Sequence, residues 1–262
     1  MKTRNQLQVL ALTGLMGLAA CTTSLTINTG AEPAKSATAD DAVHWGYEGA
    51  GGPQNWAALA DANYLCAAGI MQSPIDLSEA NALGKVAIKH NYAPVQASIE
   101  DNGHTIQANF AAGLGVKIDA RKFKLLQVHF HTPSEHVMAG STYPIGAHFV
   151  HATDAGELLV LGILFTEGEA NPQLATILDA VIAGDTSAQH TLDPTKMIPS
   201  DLSLYRYMGS LTTPPCSEGV NWHVVKTPVS ASTAQIAKFT KIMGGNARPV
   251  QPLNGRLLLQ PK

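Results

Sequence analysis

Three histidines on two short stretches of this sequence have the spacing of metal ligands. His129 and His131 stand two residues apart in the stretch 127–131, and His148 lies in the stretch 146–151. Side chains alternate between the two faces of a β-strand, so His129 and His131 would share one face, about 7 Å apart. If the second stretch forms a neighbouring strand, the three imidazoles can meet at one point.

Three neutral imidazoles suit Zn²⁺, and three protein ligands leave a fourth tetrahedral position open, as in catalytic zinc sites. The alternative is a chance His-x-His pair, since the chain has 10 histidines among 262 residues. The same alternation places Leu126, Val128 and Phe130 on the opposite face of the first strand. It also places His151 on the face opposite to His148.

The elements that must position these histidines are short strands. Apolar residues between turn residues predict strands at 86–88, 95–100, 104–110, 115–119, 123–131, 147–152, 158–165 and 220–225. Apolar residues at helical spacing predict helices at 56–60, 174–182 and 232–243. Many short strands and few helices favour a mainly β domain with one large sheet.

The first 20 residues indicate a signal peptide. A short basic start precedes an apolar stretch of about 14 residues, too short to span a membrane. Residues 18–21 resemble the bacterial lipobox, in which the cysteine becomes the lipid-modified N-terminus. We therefore expect an exported, periplasmic protein, anchored to a membrane through lipidated Cys21. The alternative is an ordinary signal peptide cut near Ala20.

The remaining chain divides into a tether and one domain. Residues 21–42 are rich in Thr, Ala and Ser and predict a flexible tether, whereas 43–262 are long enough for one domain with a substantial core. Without residues 1–20 the chain has 15 basic and 20 acidic residues, a net charge of −5. No basic patch indicates a nucleic-acid partner.

Cys66 and Cys216 are the two cysteines of this domain. An exported protein folds in an oxidising compartment, where cysteines usually pair. We therefore expect a Cys66–Cys216 disulfide, which closes a loop of about 150 residues and contributes at most about 5 kcal/mol by the chain-entropy model. The alternative is two buried free thiols.

Several motifs together resemble an α-class carbonic anhydrase of the exported bacterial type. They stand in the family's order, at 72–76 (Gln-Ser-Pro-Ile-Asp), 102–104 (Asn-Gly-His), 127–131, 134–136 (Ser-Glu-His), 147–151, 160–163, 209–216 (Gly-Ser-Leu-Thr-Thr-Pro-Pro-Cys) and 246–253. The resemblance extends from about residue 44 to residue 256. It implies the α-carbonic anhydrase fold, with short surface helices around a large, twisted, mostly antiparallel central sheet.

The resemblance also implies the reaction, a zinc-dependent reversible hydration of CO₂ to bicarbonate and a proton by zinc-bound hydroxide. His129, His131 and His148 match the zinc ligands. Thr212 matches the threonine that orients the hydroxide, and Glu135 matches the acid that accepts the threonine proton. A hydroxyl that donates its one proton to a carboxylate can only accept from the attacking oxygen, which fixes that oxygen's direction. The alternative for Glu135 is a surface acid in a loop.

Further residues take roles from the same resemblance. The substrate pocket would be lined by Val150, Val160, Leu211, Thr213, Val220 and Trp222, although apolar strand residues are more often plain core. His104 matches the histidine that exports the proton through water, the alternative being a turn histidine without a role. Gln127 would hold His129, and the carbonyl of Asn246 would hold His131. Asn102 and Gln107 would hold waters or orient ligands.

Gly146 departs from the family pattern, which usually has Glu two residues before the third ligand. Glycine has no side chain to accept the ring proton of His148, and the loss of such a partner typically costs about 10–100-fold in metal affinity or activity. We therefore predict an active enzyme with weaker zinc retention. Gln107 also stands where Asn is commoner.

Two other functions compete with this one. A carbonic-anhydrase-like binding domain that has lost catalysis would be expected to lack a zinc ligand, yet all three histidines are present, as are Glu135 and Thr212. A zinc hydrolase acting on esters is the other, which we expect only as a side reaction. The sequence has no Gly-x-Ser-x-Gly nucleophile motif.

Overall fold

The computed structural model describes residues 44–118, 120–185 and 187–262. The predicted signal peptide, tether and Cys21 lie outside the described residues. The helices are α1 (Trp56–Leu59), α2 (Leu65–Ala68), α3 (Pro172–Ala183) and α4 (Thr233–Met243). The strands are β1 (Ala82–Gly84), β2 (Ile88–His90), β3 (Val95–Asp101), β4 (Ile106–Phe110), β5 (Gly115–Ile118), β6 (Arg121–His131), β7 (Ile145–Ala152), β8 (Leu158–Glu167), β9 (Gln189–Leu192), β10 (Leu204–Ser210), β11 (Glu218–Val225), β12 (Val229–Ala231) and β13 (Leu259–Pro261).

These strands form one 13-stranded sheet, whose main path runs β1-β13-β10-β11-β8-β7-β6-β4-β3-β9. In the described part of the chain, β1–β13, β8–β11 and β8–β12 pair in parallel. The remaining pairs are antiparallel. The predicted mainly β fold on a large, mostly antiparallel sheet is confirmed. Strands β6 and β7, which carry the three histidines, are antiparallel neighbours inside this sheet.

The two longer helices are confirmed, and their sequences show why they begin where they do. Asn171 precedes α3, and its side chain accepts hydrogen bonds from the backbone N–H groups of Gln173 and Leu174. Ser232 and Gln235 form a capping box at the start of α4. Both helices pack apolar residues into the main core cluster.

The strand predicted at 104–110 begins later, at Ile106. Asn102 Oδ1 accepts hydrogen bonds from the backbone N–H groups of His104 (3.0 Å) and Thr105 (3.0 Å), so these residues belong to the hairpin turn. The strand predicted at 86–88 is likewise displaced and forms as β2. The sequence pattern missed β10, whose buried and exposed residues do not alternate regularly.

A β-bulge in β6 interrupts the predicted alternation of side chains. The register against β7 shifts between Leu125 and Gln127, which makes Leu126 the extra residue. Leu126 is 44% exposed, and Leu125 instead joins the buried face. The prediction that Leu126 shares a face with Val128 and Phe130 is therefore wrong. His129 and His131 come after the bulge and keep a common face.

The disulfide between Cys66 and Cys216 is confirmed, with the two Cα atoms 5.1 Å apart at a sequence separation of 150. Cys66 belongs to α2, near the start of the domain, and Cys216 follows β10. The bond therefore ties the N-terminal helices to the loop that carries Thr212.

Candidate metal centre and surrounding groups

The three predicted ligands converge because β6 and β7 are in register at this point. His129 lies directly opposite His148 across the strand pair, and His131 follows two residues later on the same face. The ring centroids of His129 lie 5.2 Å from those of His131 and His148, and the latter two are 4.6 Å apart. One ring nitrogen from each histidine lies within 4.8 Å of the others. This geometry is that of a three-nitrogen metal site.

The surroundings favour neutral rings, which is the form that binds metals. Burial, and next the neighbouring His131, lower the pKa of His129 to about 3. Burial also lowers the pKa of His148 well below its ordinary value, and the rings of His131, His129 and His136 add to the effect. At neutral pH His129 and His148 therefore carry no charge that would repel a cation.

The two ligands of β6 are held by protein oxygens. His129 Nδ1 lies 2.9 Å from Gln127 Oε1, and His131 Nδ1 lies 2.7 Å from the carbonyl oxygen of Asn246. An amide oxygen only accepts, so each Nδ1 carries the proton and each Nε2 has a free lone pair. His131 Nε2 is buried and has no hydrogen-bond partner among the described residues. This orphaned nitrogen fits a bound metal ion.

The ligand of β7 differs. The His148 ring makes no hydrogen bond with any described residue. A Cβ atom added at Gly146 would lie 3.1 Å from both Cα and Cβ of Ser134. The loop that contains Ser134 therefore packs on the bare backbone at the position where the family usually has a carboxylate.

Glu135 is fully buried beside the ligands. Its Oε1 accepts a hydrogen bond of 2.9 Å from the backbone N–H of Arg248. Its Oε2 lies 3.5 Å from His131 Nε2 and 3.8 Å from His148 Nδ1, and has no hydrogen-bond partner among the described residues. The alternative of a surface acid does not fit this burial.

Opposing effects act on the Glu135 carboxyl. Burial raises its pKa, while His131, the Arg248 amide and the hydroxyl of Thr212 act to lower it. Thr212 is itself buried. A cation between the histidines would further favour the charged carboxylate.

Arg248 has a supporting position that sequence reasoning missed. Its guanidinium donates to Gln72 Oε1 (2.9 Å) and to the carbonyls of Ser73 (2.8 Å) and Cys66 (3.1 Å). The sequence contained a signal for this residue, because Arg248 lies inside the motif at 246–253. These bonds connect Glu135 to the segment that carries the disulfide.

Asn246 connects the ligand strand to the hairpin of His104. Besides accepting from His131, it donates through Nδ2 to the carbonyl of His104 (3.0 Å) and accepts through Oδ1 from the N–H of Thr132 (2.7 Å). The His104 ring stacks on Trp45, with centroids 3.7 Å apart. Partial burial, and then the nearby His44, lower the pKa of His104.

The predicted apolar pocket residues share one cluster, separate from the main core. Val160, Val220 and Trp222 are at most 2% exposed, whereas Val150 and Leu211 are half-buried. Trp222 packs against the His148 ring, with centroids 4.8 Å apart. The cluster therefore lies beside the third ligand. Its half-buried members are the ones that an arriving molecule can touch.

The remaining predicted site residues differ in burial and in their neighbours. Thr213 is half-buried in the loop after β10, next to Thr212. Gln107 lies directly opposite His129 on β4. Asn102 is exposed, and its side-chain oxygen accepts hydrogen bonds within the hairpin turn.

Comparison with known proteins agrees with this geometry. The family model described as eukaryotic-type carbonic anhydrase matches residues 51–261. A carbonic anhydrase of Pectobacterium atrosepticum is 42% identical over 228 residues, covering 86% of this chain and 93% of that protein. One of Neisseria gonorrhoeae is 41% identical over 222 residues, covering 83% and 88%. The solved α-carbonic anhydrase of Thermovibrio ammonificans, in complex with the inhibitor sulfanilamide, has a TM-score of 0.78 at 42% identity, covering 83% and 99%.

Proposed function

Because this chain belongs to the eukaryotic-type carbonic anhydrase family, we propose that it hydrates CO₂ at a zinc ion held by His129, His131 and His148. It is a carbonic anhydrase, and its substrates are the small molecules CO₂ and bicarbonate. The observation that carries the zinc proposal is the convergence of three ring nitrogens within 4.8 Å, one of them a buried His131 Nε2 without a partner.

The chemistry that zinc would supply here is Lewis-acid activation of water at neutral pH. Glu135 and Thr212 would control the direction of attack. Thr212 would donate its one proton to the Glu135 carboxylate and could then only accept from the attacking oxygen. The carboxylate is aligned for this by the Arg248 amide at its other oxygen.

The apolar cluster beside His148 would receive CO₂, which has no hydrogen to donate. Val150 and Leu211 present the accessible part of that surface, and Trp222 supports it from beneath. Water is poorly held there, so an apolar molecule can displace it at little cost.

His104 would export the proton. It lies in the hairpin turn before β4, is half-buried, and its backbone is tied to Asn246. An imidazole titrates close to neutral pH, so it can take a proton from water and pass it to buffer. His104→Ala should lower turnover about 10-fold or more at low buffer concentration. Added imidazole should restore it, whereas unchanged turnover would refute the role.

The central test joins metal analysis with a stopped-flow assay of CO₂ hydration. Purified protein should contain zinc, lose activity after treatment with a chelator, and regain it when zinc is returned. Protein that hydrates CO₂ equally well after complete metal removal would contradict the proposal. The same assay separates an active enzyme from a binding domain.

We further propose that the protein is exported and anchored through lipidated Cys21. The basic start, short apolar stretch and lipobox-like residues 18–21 support this. None of the helices among the described residues has the length and apolar character to cross a membrane. Mass spectrometry of the mature N-terminus tests the proposal, and an unmodified Cys21 would contradict it.

A further inference from the structure

A row of polar side chains crosses four strands and ends at the metal centre. Glu100 on β3 lies directly opposite Gln107 on β4, Gln107 opposite His129 on β6, and His129 opposite His148 on β7. Residues directly opposite each other on neighbouring strands project from the same face of a sheet. Glu100 therefore lies on the face that carries the ligands, two strands away from His129.

Hydrogen bonds join Glu100 and Gln107 of this row with Asn109, two residues after Gln107 on β4, in a defined order. Asn109 Nδ2 donates to Glu100 Oε1 at 2.9 Å, and Gln107 Nε2 donates to Asn109 Oδ1 at 2.7 Å. Gln107 Nε2 also lies 3.4 Å from Glu100 Oε1. All three side chains are half-buried. No salt bridge with a described residue competes for the Glu100 carboxylate.

The carboxylate decides which way both amides face. An ionised carboxylate can only accept, so Asn109 must turn its NH₂ group towards Glu100 and its oxygen towards Gln107. Gln107 must then donate its own NH₂ group. Its remaining atom, Oε1, makes no hydrogen bond with any described residue. The side of Gln107 that stays open is therefore an acceptor.

We propose that Glu100 is a positioning residue that, through Asn109, fixes the side-chain amide of Gln107. The Gln107 carbonyl oxygen then stays open beside His129, where it orders the water that carries protons to His104. The inference rests on the proposed function. An acceptor of fixed direction selects one orientation of a neighbouring water molecule, whereas a freely flipping amide selects none. His104 lies three residues before Gln107, at the start of the same hairpin arm.

Glu100→Gln tests this, because an amide at position 100 can donate as well as accept and no longer fixes the order. Turnover at low buffer concentration should fall about 2- to 10-fold, the effect expected for one hydrogen bond. Saturating buffer or imidazole should restore it, and zinc content should stay the same. Glu157→Gln, the same change at an exposed glutamate paired with Arg121, is the matched control.

A double-mutant cycle separates positioning from a merely structural role. Gln107→Met should lower low-buffer turnover similarly, and Glu100→Gln should add nothing in that background. Additive losses, or equal losses at high and low buffer, would overturn the proposal.

Side-chain amide NMR of the metal-free protein gives a readout independent of activity. The NH₂ protons of Gln107 and Asn109 should be protected from exchange, and Glu100→Gln should expose them. Unchanged protection would also overturn the proposal. If the wild type fails to hydrate CO₂, the proposed function fails, while this measurement still decides whether Glu100 orients the two amides.

Discussion

The two halves of the metal centre are built differently. On β6, His129 and His131 each have Nδ1 fixed by a protein oxygen, from Gln127 and from the backbone of Asn246. On β7, His148 has no hydrogen-bond partner in the described part of the chain, and its nearest charged group is Glu135 at 3.8 Å.

The difference shows that hydrogen bonds hold only part of this candidate ligand set. Two of the three rings have a fixed tautomer before metal arrives, so they form a preorganised pair. The third is held by packing alone, against Trp222 and the neighbouring rings. We therefore expect β6 to provide most of the affinity and β7 to limit the lifetime of the bound ion.

Loss of the disulfide should have the largest effect on this arrangement. Cys66→Ser with Cys216→Ser should lower the free energy of unfolding by up to about 5 kcal/mol, measured by urea denaturation. The carbonyl of Cys66 also accepts from Arg248, which holds Glu135. Zinc retention should therefore fall too, because Glu135 is the charged group nearest His148. An unchanged urea midpoint would contradict this account.

The second-largest effect is expected from acid, which should lower stability through a histidine of β7. Burial lowers the pKa of His151, on the opposite face of β7 from His148, from 6.5 to about 4. Between pH 6.5 and 4 the unfolded chain therefore binds a proton that the folded chain excludes. The contribution of His151 to the free energy of unfolding is complete above pH 6.5 and falls by up to about 3 kcal/mol towards pH 4. His151→Gln should flatten the pH dependence of urea unfolding; an equal slope in both proteins would exclude His151 as its source.

Gln127→Ala should leave His129, like His148, without a hydrogen-bond partner for its ring among the described residues. The tautomer of His129 would no longer be fixed, and zinc affinity should fall about 10–100-fold. Competition with a chromophoric chelator measures this. Gln96→Ala, at an exposed position on β3, is the control and should leave affinity unchanged. Equal affinity in Gln127→Ala would show that the contact with His129 contributes nothing.

The smallest effect is expected from repairing the β7 half. Gly146→Glu alone brings Cβ within 3.1 Å of both Cα and Cβ of Ser134, so it is made together with Ser134→Gly, which removes the second of these contacts. The added carboxylate should slow zinc dissociation by up to about 10-fold. Ser134→Gly alone is the control. If the double variant keeps its melting temperature and releases zinc at the wild-type rate, the open position beside His148 has no role in retention.

Local pattern was sufficient for much of the fold. Apolar stretches between turn residues located β7 and β8, and helical spacing located α3 and α4. The local pattern failed within β6, where a bulge changes the alternation at Leu126, and at β10, whose pairing with β11 and β13 outweighs its irregular pattern. A bulge and a strand pairing depend on the partner strand, which a local window does not contain.

By itself the sequence determined which residues could form the site. A sequence separation of two residues places the rings of His129 and His131 on one face in any strand, and Cys66 and Cys216 are the two cysteines of the domain. Tertiary structure alone decided that His148 lies opposite His129, that Glu135 lies beside the rings of His131 and His148, and that Ser134 packs on Gly146. The physical reason is the distance along the chain. Alternation is set by the backbone of neighbouring residues, whereas these contacts arise from strand register and loop packing between segments far apart in sequence.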